Sequence, residues 1–247
     1  MRIDGARVLV TGASSGIGAA TADALAAAGA RLLLAGRDRE RLEAVAARTG
    51  GRVLVFDIAT QAKALAEQAG AVDVLVNNAG VGWAGPFAWM PPATVRHLVE
   101  VNLAAPMVLT RLLLPAMIDA GRGHIVLVAS IAGAVGVGQE TVYSATKAGL
   151  IGFAEGLRYE VRRMPGMGVS VLLPGVVATP FFERRGVPYT RRRPAPIPPE
   201  RVARAVVAAI RHRRAESYVP GWLRLPARLR GAAPGPFRAL AGRFGRM

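Results

Sequence analysis

The sequence predicts an α/β fold, a doubly wound parallel sheet of about seven strands in a three-layer α/β/α arrangement. Three observations predict it. Apolar runs of strand length alternate with helix-length segments almost to residue 180. No internal repeat or interdomain linker interrupts that alternation. The first strand passes through a glycine-rich turn directly into a helix. At 247 residues the chain is long enough for one such domain with a substantial core.

The strands are expected at 6–11, 31–35, 52–57, 72–76, 124–130 and 169–173, each a continuous apolar run of the kind that parallel strands buried on both faces require. Helices are expected between them at 17–28, 39–49, 61–69, 94–120 and 142–163. The pattern loosens after residue 180. Residues 181–199 combine two leading aromatics, Tyr189, an arginine triplet and several prolines, and are expected to form a substrate loop or lid. A helix at 200–213 and a short last strand at 217–219 follow. Residues 1–220 are therefore read as a single domain, and 221–247 as a basic C-terminal extension.

Composition narrows the chemistry. There is no cysteine, which excludes disulfides, thiolate catalysis and cysteine-ligated metals. No signal peptide is visible. The apolar stretch 104–118 is interrupted by Arg111 and Pro115 and reads as too short to cross a bilayer, so a cytoplasmic protein is expected. The formal charge of +16 is unevenly placed: residues 1–180 carry 16 basic and 13 acidic side chains, residues 181–247 carry 16 and 3. Arginine supplies all the basic side chains except Lys63 and Lys147. Lys147 stands out.

The turn Thr11-Gly12-Ala13-Ser14-Ser15-Gly16-Ile17-Gly18 has a strand before it and a helix after it. Its glycines let backbone N–H groups approach a pyrophosphate at the helix N-terminus. Gly12, Asp57, Asn78, Ser130 and Pro174 all fall at or just after strand ends, where open parallel sheets bind ligands. The spacing TGxxxGxG, with Asn77-Asn78-Ala79-Gly80, Asn102, Ser130, Tyr143-Ser144-Ala145-Thr146-Lys147 and Pro174-Gly175 in order, resembles the short-chain dehydrogenase/reductase family in its single-domain branch, from about Gly5 to about Thr179. That resemblance implies a Rossmann-type fold and a nicotinamide dinucleotide held by Gly12, Ser14, Ser15, Gly16, Ile17, Gly18, Arg37, Asp57, Ile58, Asn78, Ala79, Gly80, Tyr143, Lys147, Pro174, Gly175, Val177 and Thr179. Asp57 is expected at the adenine.

The end of the second strand, Leu34-Ala35-Gly36-Arg37, lacks the carboxylate that would accept from the 2′-OH of NAD(H). Arg37 offers a cation suited to a 2′-phosphate instead, so NADP(H) is favoured over NAD(H). The alternative is that Arg37 merely opens a charged, solvated helix. Ser15 is a departure, since NADP-preferring relatives often carry a basic residue there.

Tyr143 and Lys147 lie four apart in a predicted helix, on one face. A phenol with a pKa of about 10 is a poor acid at neutral pH, and a nearby ammonium is expected to lower it. Tyr143 is thus the candidate proton donor for a carbonyl, or the base in alcohol oxidation. By resemblance, Lys147 would also hold the nicotinamide ribose, Ser130 the substrate oxygen, and Asn102 a water chain returning protons through Lys147. Each has a structural alternative: an amphipathic pair, a strand-end cap and a buried amide.

Substrate contacts are expected from Val81, Gly82, Trp83, Ser130, Ile131, Val137, Gln139, Tyr143, Val176 and Phe181, a mostly apolar set that suits a lipophilic ketone or alcohol. Relatives usually pair through helices corresponding to 94–120 and 142–163, which implies a homodimer or homotetramer. In the tail, Phe237, Leu240, Ala241 and Phe244 recur at helical spacing among Arg238, Arg243 and Arg246, with Trp222, Leu223, Leu225 and Leu229 upstream. Such a segment suits an anionic membrane surface, or else a packing arm. No nucleic-acid-binding module accompanies the arginines. A cofactor-binding regulatory protein without catalysis is the competing function, against which Asn102, Ser130, Tyr143 and Lys147 all stand.

Overall fold

Seven parallel strands form one sheet in the order β3-β2-β1-β4-β5-β6-β7 in a computed structural model that describes residues 1–190 and 192–244, with side chains to Ala239. They are β1 (Arg7–Thr11), β2 (Arg31–Gly36), β3 (Arg52–Val55), β4 (Val74–Asn77), β5 (Gly123–Val128), β6 (Met167–Pro174) and β7 (Glu216–Val219). All six predicted strands are present, and the short seventh begins one residue earlier than expected. The order reverses between β1 and β4, and at such a point the loops diverge and leave a crevice beyond the strand ends.

Side chains alternate between two cores, as the strand period of two demands. Leu9, Leu33, Leu75, Ile125, Leu127 and Val171 face α3 (Ile58–Ala69), α5 (Ala105–Asp119) and α7 (Thr141–Val161). Val8, Val10, Leu34, Val76, Val126 and Leu172 face α1 (Gly16–Ala27), α2 (Arg39–Thr49) and α9 (Pro199–His212). Central β5 and β6 are buried along their whole length, whereas edge strands β3 and β7 are partly open. Caps set the helix starts: Asp38 accepts from the Arg41 amide, and Asp57 from the Ala59 amide at 2.9 Å.

The expected helix 94–120 is not one regular helix. It consists of α4 (Pro92–Val99), a π-helical turn at Glu100–Ala104 and α5. Pro106 explains the break, because it has no N–H to donate to the Asn102 carbonyl four residues back. The ladder widens instead, and the Ala105 amide donates to the Glu100 carbonyl five residues back. The continuous run Pro92–Asp119, 28 residues, is long and apolar enough to cross a membrane by length and composition. Leu98, Val101, Leu109, Leu113 and Met117 of that run are buried in the domain.

Short helices α6 (Ile131–Val135) and α8 (Phe181–Arg184) follow β5 and β6. The expected loop 181–199 therefore starts as a helical turn, and it rejoins the domain where Ile197 bridges Val177. Beyond β7, a single turn Gly221–Leu223 leads into α10 (Arg224–Ala232) and α11 (Pro234–Phe244). The tail side chains Leu240, Ala241, Phe244, Arg243 and Arg246 lie outside the described residues.

Leu127 is fully buried in the middle of the sheet. Leu127→Ala is expected to lower unfolding free energy by about 2–5 kcal/mol. Urea denaturation checks this through a lower midpoint at an unchanged m-value.

Candidate active site

The glycine loop is held by hydroxyl and amide side chains at the reversal point. Thr11 Oγ1 accepts from the amides of Asn78 (3.0 Å) and Ala79 (3.1 Å) and donates to the Val76 carbonyl (3.3 Å). Asn78 Nδ2 returns two bonds, to the carbonyls of Thr11 and Gly12 at 3.0 and 3.2 Å. These bonds tie the end of β1 to the end of β4 and shape one side of a cavity of about 1090 Å³. The chain reaches the cavity from four strand ends. Gly12, Ser14, Ser15, Gly16 and Ile17 line it after β1, and Arg37 after β2. Asp57 and Ile58 follow β3; Asn78, Ala79, Gly80, Val81 and Gly82 follow β4.

The opposite wall carries Ser130, Tyr143 and Lys147. Ser130 ends the β5 segment and caps α6, its Oγ accepting from the Ala132 amide at 3.1 Å. Lys147, one turn after Tyr143 on α7, is buried and donates from Nζ to the Val128 carbonyl at 2.9 Å. Its Nζ lies 5.7 Å from the centre of the Tyr143 ring. Gly80 packs close to both amide and ammonium: a Cβ there would sit 3.5 Å from Nζ and 3.2 Å from Asn102 Oδ1. Pro174, Gly175, Val176, Val177 and Thr179 complete this wall after β6, with Ile131, Val137 and Gln139 from the α6 region.

The electrostatics differ from the expectation for Tyr143. Loss of water around the phenol raises its pKa above the ordinary value, and the Glu140 carboxylate adds to the rise. A hydrogen bond with Ser130 and the Arg185 guanidinium oppose it without reversing it. Lys147 does not supply the expected lowering, and burial instead brings its own pKa down to about 8. Desolvation outweighs the attraction that i,i+4 spacing suggests.

Three expected site residues do not line the cavity. Gly18 packs behind the loop: a Cβ there would be 2.0 Å from the Gly12 carbonyl oxygen, so the glycine closes α1 onto the turn. Asn102 is fully buried, with Oδ1 accepting from the Val81 amide (2.8 Å) and Nδ2 donating to the Val81 carbonyl (2.9 Å). Its side chain holds the strand β4 extension. Trp83 turns away, its ring covering Gly85 beside Phe87 and Met90. Only Val142, Thr141 and Tyr143 of α7 border that outer recess with them.

Sequence reasoning missed the cations of the lid. Arg184 Nη1 donates to Ser15 Oγ at 3.2 Å, which connects α8 to the glycine loop. Arg185 pairs with Glu140 at the start of α7 and stacks 4.6 Å over Phe182, while the Phe181 ring lies 5.4 Å from that of Tyr143. The two leading aromatics marked 181–199 as a lid, but neither arginine carried a local signal. Arg37 reaches the Asp57 carboxylate at 3.6 Å, both at the open end of the cavity, where Arg41 also lies.

Comparison with known proteins agrees with this geometry. Residues 6–187 match the family model described as short chain dehydrogenase. The ketoacyl reductase HetN of Nostoc sp. is 40% identical over 233 residues, covering 88% of this chain and 79% of that protein. A short-chain dehydrogenase/reductase structure from Burkholderia phymatum in complex with NAD superposes with a TM-score of 0.85 at 27% identity, over 94% of each chain. A short-chain dehydrogenase from Burkholderia cenocepacia in complex with NADP gives 0.84 at 29% identity, over 97% of this chain and 98% of that one.

Gly18→Ala is expected to push the loop off α1, costing about 1–3 kcal/mol of stability by overpacking. Calorimetric titration with NADPH checks the accompanying loss of dinucleotide affinity.

Proposed function

This chain belongs to the short-chain dehydrogenase/reductase family and is an NAD(P)-dependent oxidoreductase; on that premise we propose that it reduces a lipophilic carbonyl to an alcohol with NADP(H), using Tyr143 as the proton donor. The observation that carries this reading is the meeting of Tyr143, Ser130 and Lys147 on the wall facing the glycine loop. The residues fit the dinucleotide. The glycine loop, Gly80 and Lys147 line the same cavity as the Arg37 and Arg41 guanidinium groups, a set of amides and cations suited to a phosphorylated ligand.

When bound, the dinucleotide supplies hydride and, in its oxidised form, a positive charge beside the phenol. The glycine loop would hold its diphosphate, Arg37 its 2′-phosphate, and Lys147 its ribose hydroxyls. Ser130 Oγ donates to the substrate carbonyl and holds it against Tyr143. Tyr143 Oη then delivers its proton to that oxygen as charge develops there. A high pKa suits a donor in the resting protein, since the phenol is fully protonated when the carbonyl arrives. Val81, Ile131, Val137, Val176, Phe181 and Phe182 line the substrate end, which favours an apolar chain or ring. Homology to a ketoacyl reductase supports a ketone substrate. Val99, Val108, Leu112 and Tyr159 are exposed on the outer faces of α4, α5 and α7, which supports pairing of two subunits there.

Three outcomes follow from these roles. Tyr143→Phe is expected to lower kcat by between about 10²- and 10⁴-fold while leaving the NADPH dissociation constant within a few-fold, measured by turnover and fluorescence titration. Arg37→Asp is expected to shift the NADPH-to-NADH ratio of kcat/KM toward NADH by about 10- to 100-fold, the loss of charge-assisted hydrogen bonds. The Lys147 pKa is lowered to about 8, so the side chain is cationic below that pH and neutral above it. The kcat/KM for NADPH is therefore expected to fall as pH rises through about 8, and this step should be absent from Lys147→Met.

A further inference from the structure

The segment after β7 leaves the sheet at its carboxyl edge, the same edge that bears the cavity. Leu223 anchors it there: its Cδ1 lies 2.9 Å from where a Cβ on Gly175 would be, and Gly175 lines the cavity. Arg224 lies over the Tyr218 ring, and Arg228 one turn later acts on the same phenol from the rim of the outer face. The outer face is different. Trp222, Leu225 and Leu229 are 53%, 71% and 43% exposed and fall at i, i+3 and i+7, the spacing of one helix face. Arg228 and Arg230 immediately precede and follow Leu229, so they project to opposite sides of the apolar stripe. Residues 221–247 contain six arginines and no acid. The loop after β4 leaves the sheet at the same edge, and there Phe87 and Trp89 are exposed as well, at 57% and 79%.

We infer that this edge docks on an anionic lipid bilayer, with Trp222, Leu225 and Leu229 entering the interface and Arg228 and Arg230 pairing with lipid phosphates. Large apolar side chains flanked by arginines, whose stems cover apolar surface while the guanidinium groups stay at the phosphate level, match an interface rather than free water. The uncompensated positive charge selects negative lipids. Docked in this way, the mouth of the cavity faces the membrane, so the carbonyl or alcohol substrate is one that partitions into the bilayer. That last step rests on the reductase reading above. The docking itself does not, because it is read by binding rather than by turnover.

The test is co-sedimentation of the full chain with vesicles of phosphatidylcholine plus phosphatidylglycerol, and with phosphatidylcholine alone. Binding is expected to the anionic vesicles only and to weaken with added salt. Arg228→Gln with Arg230→Gln is expected to lower partitioning about thirtyfold, at about fivefold per arginine. Leu225→Ser with Leu229→Ser should abolish it, while Arg163→Gln, on the far side of the domain, leaves it unchanged. Melting curves matching the parent show that each variant is folded, and the arginine pair alone decides the matter if the leucine pair is not. Absence of parent binding, or equal binding by the parent and the arginine variant, would overturn the proposal. So would a leucine variant that sediments as a smaller oligomer yet binds vesicles like the parent, because the stripe would then be a contact with a second copy.

Discussion

A buried ammonium must have an acceptor, and for Lys147 it is the Val128 carbonyl at the end of β5. That bond joins α7 to the middle of the sheet and sets the register of everything beside it. Ser130 lies two residues past the carbonyl, and Tyr143 lies one turn before the lysine. Gly80 approaches the same Nζ. Burial makes the arrangement costly in charge, which is why the lysine pKa descends to about 8 and becomes responsive near neutral pH. The glycine loop, tied by Thr11 and Asn78, supplies the opposite wall.

Two features couple this wall to the lid. Arg184 reaches Ser15, so α8 rests on the loop that would hold the diphosphate. Arg185 pairs with Glu140 just before α7, and the two charges act on the Tyr143 phenol with opposite sign. Asn102 contributes differently. By holding the Val81 main chain it fixes the path of the β4 extension past Lys147, and the π turn created near Pro106 is what aims it there.

The sheet was legible because parallel strands buried on both faces must be apolar throughout, and the strand-end motifs marked where the chain enters the cleft. Most of the proposed cofactor positions meet at the cavity for that reason. The exceptions have physical causes that local patterns do not carry. Gly18 serves helix closure rather than ligand approach, and a motif cannot distinguish the two. Trp83 turned outward because Gly85 leaves room for its ring. Pro106 was visible in the sequence, but its effect depends on the ladder it interrupts. The i,i+4 pair Tyr143–Lys147 was legible as a neighbourhood, yet the sign of the pKa shift depends on desolvation, a property of the folded cleft. Arg184 and Arg185 required the lid to be in place before their partners could be known.

In the proposed mechanism Tyr143 is a protonated donor in the resting protein and becomes a stronger acid once the oxidised dinucleotide, with its positive charge, is bound. Tyrosinate absorbance, recorded as the parent minus Tyr143→Phe to remove Tyr159, Tyr189 and Tyr218, measures this across pH with and without oxidised NADP. A midpoint above the ordinary tyrosine range is expected in the free protein, and a fall below that range on binding. A midpoint already low in the free protein, or one that does not move when the dinucleotide binds, would contradict the mechanism.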